Sequence, residues 1–235
     1  MLYKFEIFDE PLETLEDNKK LINTINAYSY NVSKKDLLFK EALLNCNVLI
    51  PDGISIVWAI KLLKGKKINK IAGADLFFYE MERLEKIRGK CFFLGSTNET
   101  LDKIKKRAKL EYSNVQIESY SPPYKPEFSE EDNFEMIQKI NEFKPQVLFV
   151  GMTAPKQEKW AYSNFNQLNV GHVCGIGAVF DFYAGNIKRA PDWMIKLGIE
   201  WLYRLVKEPK RMWKRYLIGN TIFVLSILKE KFIKK

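Results

Sequence analysis

Residues 146–158 read QVLFVGMTAPKQE. A short apolar run stops at Gly151, and Pro155 suits the first turn of a helix that would start at Lys156. A strand handing over through glycine to a helix is the repeating unit of a parallel sheet. The same hand-over recurs along the chain. Residues 46–50 (CNVLI) run into Pro51-Asp52-Gly53, residues 90–94 (KCFFL) into Gly95-Ser96, and residues 171–174 into Gly175-Ile176-Gly177. Thr24 and Asn26, in INTINAYS, follow another apolar start. Helical patterns fall between these runs, over 36–45, 55–63, 75–87, 98–110, 130–143 and 156–165. Alternation of this kind predicts an α/β protein: a Rossmann-like, mainly parallel sheet flanked by helices. Ligands of such sheets sit at the carboxyl ends of the strands. Here those ends are PDG, GST, GMTAPKQ and GIGAVFD.

Charge divides the chain differently. Residues 185–235 hold 13 Lys+Arg against 4 Asp+Glu, while the other 184 residues hold 25 of each sign. The net charge of +9 therefore sits at one end, beside Trp193, Trp201 and Trp213. Concentrated charge with aromatics points to a fixed anionic partner. The expected division is a catalytic core over 1–190 and a basic helical appendage over 191–235. Residues 193–206 read as one helix, broken by Pro209, which can begin a second. On that axis Arg204, Lys207, Arg211, Lys214 and Arg215 share one basic face. The expected appendage is a helical hairpin or bent helix, removable from about Glu208 without loss of the core. The apolar tract 216–228 is too short to cross a bilayer of about 30 Å but could lie on one. No signal-peptide pattern begins the sequence, and Cys46, Cys91 and Cys174 have no metal-type spacing, which favours a reducing, cytosolic location.

Each candidate site residue has a plainer reading beside it. Asp52 at a strand end can act as a general base, or simply close a turn. Thr24 and Asn26 can bond a ligand, or cap a helix. Asp75 is a good N-cap for the helix it opens, and Lys70 upstream could meet a phosphate. Gly95 begins a plausible anion cradle at a helix start, without the spacing of a dinucleotide fingerprint. Thr153, Lys156 and Gln157 are polar groups at a strand-to-helix junction. Lys156 could meet a phosphate and Gln157 a sugar or base edge, while Lys156 and Glu158 could equally form a solvated first turn. His172, the one histidine, lies in an apolar run and reads as structural. A histidine triad or a multi-histidine metal site is thereby disfavoured.

Taken together, TIN at 24–26, PDGISIVWA at 51–59, GADL at 73–76, FLG at 93–95, GMTAPKQE at 151–158 and the stretch 175–215 resemble the WecG/TagA/CpsF family of bacterial glycosyltransferases (glycosyltransferase family 26). The resemblance covers nearly the whole chain. It implies an inverting enzyme that moves a sugar, N-acetylmannosamine as the leading case, from a UDP-sugar to a polyprenyl-diphosphate-linked saccharide. It implies work on the cytosolic face of the membrane, in cell-surface polysaccharide synthesis such as wall teichoic acid or capsule, with no metal or other cofactor. By the resemblance, Asp52 is the candidate base, and Thr24, Asn26 and Gln157 lie near the donor sugar and diphosphate. Arg204, Arg211 and Arg215 would hold the lipid diphosphate or help neutralise the leaving UDP. Asp181 belongs with the core turn. Lys70 stands where the family often has arginine, keeping the charge but losing the bidentate fork. Thr153 stands where a smaller residue is usual. Glucose, galactose or N-acetylmannosaminuronic acid as donor sugar, the acceptor linkage and a homo-oligomeric state stay open. A nucleic-acid-binding module is the contrasting reading of the basic tail, and it leaves the strand-end motifs of the neutral core without a purpose. A nucleotide-dependent oxidoreductase lacks its fingerprint.

Overall fold

The computed structural model describes residues 1–233; the last two lysines of the predicted appendage lie outside the described residues. Six strands form one sheet in the order β2-β1-β6-β5-β3-β4: β1 Lys20–Ile25, β2 Val48–Pro51, β3 Lys90–Gly95, β4 Gln116–Tyr120, β5 Val147–Gly151 and β6 His172–Gly175. Every pairing is parallel. Apart from the edge strand β4, the strands are mostly apolar, as a sheet covered on both faces requires. Residues 147–150 of β5 are fully buried, for example.

Helices cover both faces. On one, α4 (Gly73–Ile87), α5 (Asn98–Glu111) and α8 (Val179–Tyr183) pack Phe77, Ile104 and Phe180 against Phe93 and Phe149 of the sheet. On the other, α6 (Glu130–Phe143) and α7 (Lys156–Asn164) pack Met136, Ile140 and Trp160 against Leu148 and Val150. A third cluster lies beside β1 and β2. It joins α1 (Ala27–Ser33), α2 (Leu37–Leu44) and α3 (Ile54–Lys64) around Tyr30, Phe39 and Ile60. The predicted α/β class and its parallel sheet are what the structure has.

The sequence reading misses β4, α1 and the short α8. In β4, QIESY offers one aliphatic residue, and the strand is an exposed edge. α1 is a seven-residue turn of helix capped by Asn26.

The appendage departs from expectation in three ways. The single helix expected over 193–206 is cut at Gly198, where φ is +73° and a side chain would press on Ile54 at about 3.1 Å. That break separates α9 (Asp192–Lys196) from α10 (Glu200–Lys207). α11 (Pro209–Trp213) then continues through a π-helical turn, Lys214–Ile218, into α12 (Gly219–Ile233). Second, the five basic residues do not share a face. Arg204 and Arg215 turn inward, whereas Lys207, Arg211 and Lys214 are exposed. Third, the end of the chain packs into the core. Phe223 and Ile227 of α12 are buried in the third cluster, with Phe223 edge-on to Tyr30 at 5.1 Å. Glu230 accepts hydrogen bonds from the Leu2 N–H (2.8 Å) and from the Tyr30 hydroxyl. Burying two such side chains contributes about 1.5–3 kcal/mol each. Truncation at about Glu208 would therefore open the core. Among the described residues, no helix is long and apolar enough to cross a membrane.

Candidate active site

The site lies where β1 and β2 end. β2 closes with Pro51, and the Asp52 N–H donates to the carbonyls of Ile25 (2.9 Å) and Ile50 (3.0 Å). This bifurcated hydrogen bond to the backbone fixes Asp52 at the lip of the sheet. Gly53 has φ +142°, a conformation that side-chain-bearing residues rarely adopt, so glycine is what lets the chain turn at once into α3. The Ile71 N–H donates to the Pro51 carbonyl at 3.2 Å, which brings the Lys70–Ile71 segment beside the same lip.

Charged groups from distant segments then converge. Lys70 stands 3.8 Å from Glu200, which in turn pairs with Arg204 at 3.2 Å. The Arg204 guanidinium lies over the Phe182 ring at 4.7 Å, and that of Arg215 over Tyr28 at 4.3 Å. Burial pushes the Asp52 carboxyl above the ordinary carboxylate range; Arg204 pulls it down, Glu200 pushes it up, and Lys70 and Arg215 pull it down. For Arg204, burial works against its charge, but Tyr216, Glu200 and Asp52 outweigh burial and hold the guanidinium more firmly protonated. The Nε atoms of Arg204 and Arg215 are both buried without a hydrogen-bond partner. A carboxylate with a raised pKa, set among three cations of which the two arginines keep an unpaired Nε, can accept a proton beside an anion.

The predicted residues divide by where the structure puts them. Thr24 is buried on β1, in register with Ile50 and two residues short of Asn26. Asn26 is the N-cap of α1, its Oδ1 accepting from the Ser29 N–H at 3.0 Å, so the capping reading holds for that oxygen. Gln157 is buried beside Gly175 and Gly177. Arg204, Arg215 and Lys70 stand with Asp52.

Others go elsewhere. The Lys156 ammonium donates to the Lys125 carbonyl and lies 3.5 Å from the centre of the Phe128 ring, because it leaves the helix start toward the Ser121–Pro126 loop. Arg211 is exposed and pairs with Glu208 at 2.9 Å. Asp75 is not the N-cap: α4 begins two residues earlier, at Gly73, and Asp75 accepts from the Ala72 N–H at 2.8 Å. Asp181 faces Asn186 at 3.4 Å, at the junction of α5 and α8. Thr153 is exposed on the loop before α7, its carbonyl accepting from the Lys156 N–H at 2.9 Å. Gly95 has φ +114°, and a side chain there would meet the Gly151 carbonyl at about 2.7 Å; the close approach of β3 and β5 needs this glycine.

One residue the sequence reading passed over belongs here. Glu158 is not part of a solvated turn; it is 2% exposed. Burial pushes its carboxyl up to about 7, against the pull of its own backbone N–H, the Gln157 amide and Arg215. His172 is structural, as expected: it is buried at the opposite end of β6 and contacts Glu80 at 2.6 Å.

Residues 4–235 match the family model described as "Glycosyl transferase WecG/TagA/CpsF family". The chain is 31% identical over 215 residues to an N-acetylglucosaminyldiphosphoundecaprenol N-acetyl-beta-D-mannosaminyltransferase of Bacillus subtilis (strain 168), covering 92% of this chain and 81% of that protein. It is 29% identical over 227 residues to a protein of the same name from Bacillus spizizenii, covering 95% and 86%. A third relative of that name, from Staphylococcus aureus (strain MW2), is 29% identical over 214 residues, covering 91% and 82%.

Proposed function

The chain belongs to the WecG/TagA/CpsF glycosyltransferase family, and from that premise we propose that it transfers N-acetylmannosamine from a UDP-sugar to the N-acetylglucosamine of a polyprenyl-diphosphate-linked acceptor. The observation that carries the reading is Asp52, held at the end of β2 among Lys70, Arg204 and Arg215. In the proposed step the acceptor hydroxyl gives its proton to Asp52 as its oxygen forms a bond to the anomeric carbon. The bond from that carbon to the UDP oxygen breaks on the opposite side, so the centre inverts. The electron pair leaves with UDP, whose growing negative charge the cationic side chains stabilise. General-base help of this kind is typically worth about 10²–10⁴-fold. No metal ion is needed in this scheme, since Lys70, Arg204 and Arg215 supply the positive charge.

The same reading places the enzyme peripherally on the inner face of the bacterial plasma membrane. Its support is the outer side of the appendage. There Lys207, Lys210, Arg211 and Lys214 are exposed, as are Val206 (71% exposed), Leu217 (54%) and Leu225 (61%). A basic and apolar surface of this kind suits anionic headgroups, each cation contributing about 1 kcal/mol.

A screen of UDP-sugars against a synthetic polyprenyl-diphosphate-GlcNAc, read by mass spectrometry, tests the function. One added N-acetylhexosamine with UDP-N-acetylmannosamine is the expected product. Transfer from UDP-glucose or UDP-galactose alone would move the donor assignment, and no transfer from any UDP-sugar would overturn the reading.

A further inference from the structure

The appendage places a carboxylate among the cations of the site. Glu200, the first residue of α10, stands 3.8 Å from the Lys70 ammonium and accepts from the Arg204 guanidinium at 3.2 Å. Two other acids of the appendage have duties elsewhere. Glu208 pairs with the exposed Arg211, and Glu230 accepts from the Leu2 N–H and the Tyr30 hydroxyl. Glu200 instead faces the site, with its side chain 18% exposed, and repels any anion that binds there. A group that weakens binding of the ground state has a place in an active site when it helps the chemical step more.

The position of Glu200 in the fold supplies that help. Lys70 comes from the core, on the segment tied to Pro51 by the Ile71 N–H, and Arg204 comes from the appendage. Glu200 pairs with both. Its own place is set by the break at Gly198, which packs against Ile54 at the start of α3, two residues after Asp52. Arg204 is held on two further sides, by the Phe182 ring at 4.7 Å and by a hydrogen bond to Tyr216. Lys70 has Glu200 as its ion-pair partner among the described residues. An ammonium on a flexible stem samples many rotamers unless a partner fixes it. Cations ordered before the reaction need no reordering as charge develops.

We propose that Glu200 is a positioning residue: it ties Lys70 of the core to Arg204 of the appendage beside Asp52, so that both cations meet the leaving diphosphate already in place. This rests on the glycosyltransferase reading above. Glu200 acts through the two cations and not on the substrate. It has a second effect on the same site. The charged groups that bear on Asp52 are Arg204, Glu200, Lys70 and Arg215, and Glu200 alone among them opposes its ionisation. Its charge therefore keeps Asp52 the stronger base.

Two measurements on the full chain test it, using the unaltered protein, Glu200→Gln and Glu200→Asp. One is the rate of transfer from UDP-N-acetylmannosamine to synthetic polyprenyl-diphosphate-GlcNAc across a range of pH; the other is calorimetric titration of UDP. Glu200→Gln keeps the size and removes the charge. Its kcat is expected to fall about tenfold or more, while UDP binds as tightly as before or tighter, because a repelling charge has gone. The acid limb of its kcat/KM profile is expected to move to lower pH. Glu200→Asp keeps the charge on a shorter stem, so its acid limb should stay in place and its kcat should fall between the other two. Loss of UDP affinity in step with kcat is what a merely structural role would give, and it would overturn the proposal. So would a Glu200→Gln kcat within about twofold of the unaltered protein, or an acid limb that does not move. If Glu200→Gln fails to fold, Glu200→Asp decides: lower kcat at retained UDP affinity supports the role, and equal loss or no loss overturns it. An unaltered protein that transfers from no UDP-sugar would overturn the glycosyltransferase reading itself, and the role of Glu200 with it.

Discussion

The two ends of the sheet both bury carboxylates, and they treat them oppositely. At the amino ends of the strands, Glu80 is fully buried and fully engaged: His172 Nδ1 lies 2.6 Å from one oxygen and Arg83 donates to the other at 2.8 Å. Arg83 continues to Asp17 at 2.5 Å, and His172 Nε2 lies 3.0 Å from the Glu16 carbonyl. At the carboxyl ends, Asp52 is raised by burial and Glu158 keeps one oxygen unpaired. A closed network of this kind is a strut. Open groups in the same protein are what a ligand must complete.

The contrast is sharpest in stability. Glu80→Gln removes the charge and one of the two acceptor oxygens that face a buried histidine and a largely buried arginine, and should cost about 3–5 kcal/mol by urea denaturation. Turnover of the folded fraction should be unchanged. A loss below about 1 kcal/mol would make the strut decorative.

Glu158→Gln should act in the other direction. Glu158 holds its proton up to about pH 7 in the folded chain, against 4.5 for an ordinary glutamate. The folded state therefore binds more protons than the unfolded one between these values, and stability falls as pH rises through that window. Glutamine has no proton to lose. The stability difference between the two proteins should shift in favour of Glu158→Gln by about 3 kcal/mol between pH 4 and pH 8. A difference independent of pH would show that the carboxyl is solvated after all.

The smallest contrast lies within the appendage. Arg215→Ala should lower kcat/KM about 10–100-fold, because it removes an inward cation at the site. Arg211→Ala, which breaks one exposed pair, should change stability by less than about 1 kcal/mol and leave turnover nearly intact. Equal kinetic effects would erase the division between inward and outward arginines.

Much of this was legible in the sequence, and the exceptions have physical causes. Strand-to-helix hand-overs at glycine or proline mark β2, β3, β5 and β6 because a parallel sheet buries its strands on both faces. QIESY lacks that mark because β4 is an edge. The turn at Pro51-Asp52-Gly53 was readable as a strand end, whereas the role of Asp52 as a base came from the resemblance. The orientations of Lys156 and Glu158 were not readable, since two charges in a first helical turn look alike whether they face water or the sheet. The appendage's arginines were assigned by spacing along one axis, and Gly198, Pro209 and the π-helical turn mean there is no single axis. The apolar tract near the end read as a surface for a membrane, whereas α12 divides itself: Phe223 and Ile227 inward, Val224 and Leu225 outward.

The central claim is that Asp52 is the base of a sugar transfer. The direct test is turnover of UDP-N-acetylmannosamine and polyprenyl-diphosphate-GlcNAc by Asp52→Asn, with UDP binding measured on the same preparation. A drop of about 10²–10⁴-fold in kcat with UDP affinity retained is the predicted result. Near-normal turnover would contradict the account.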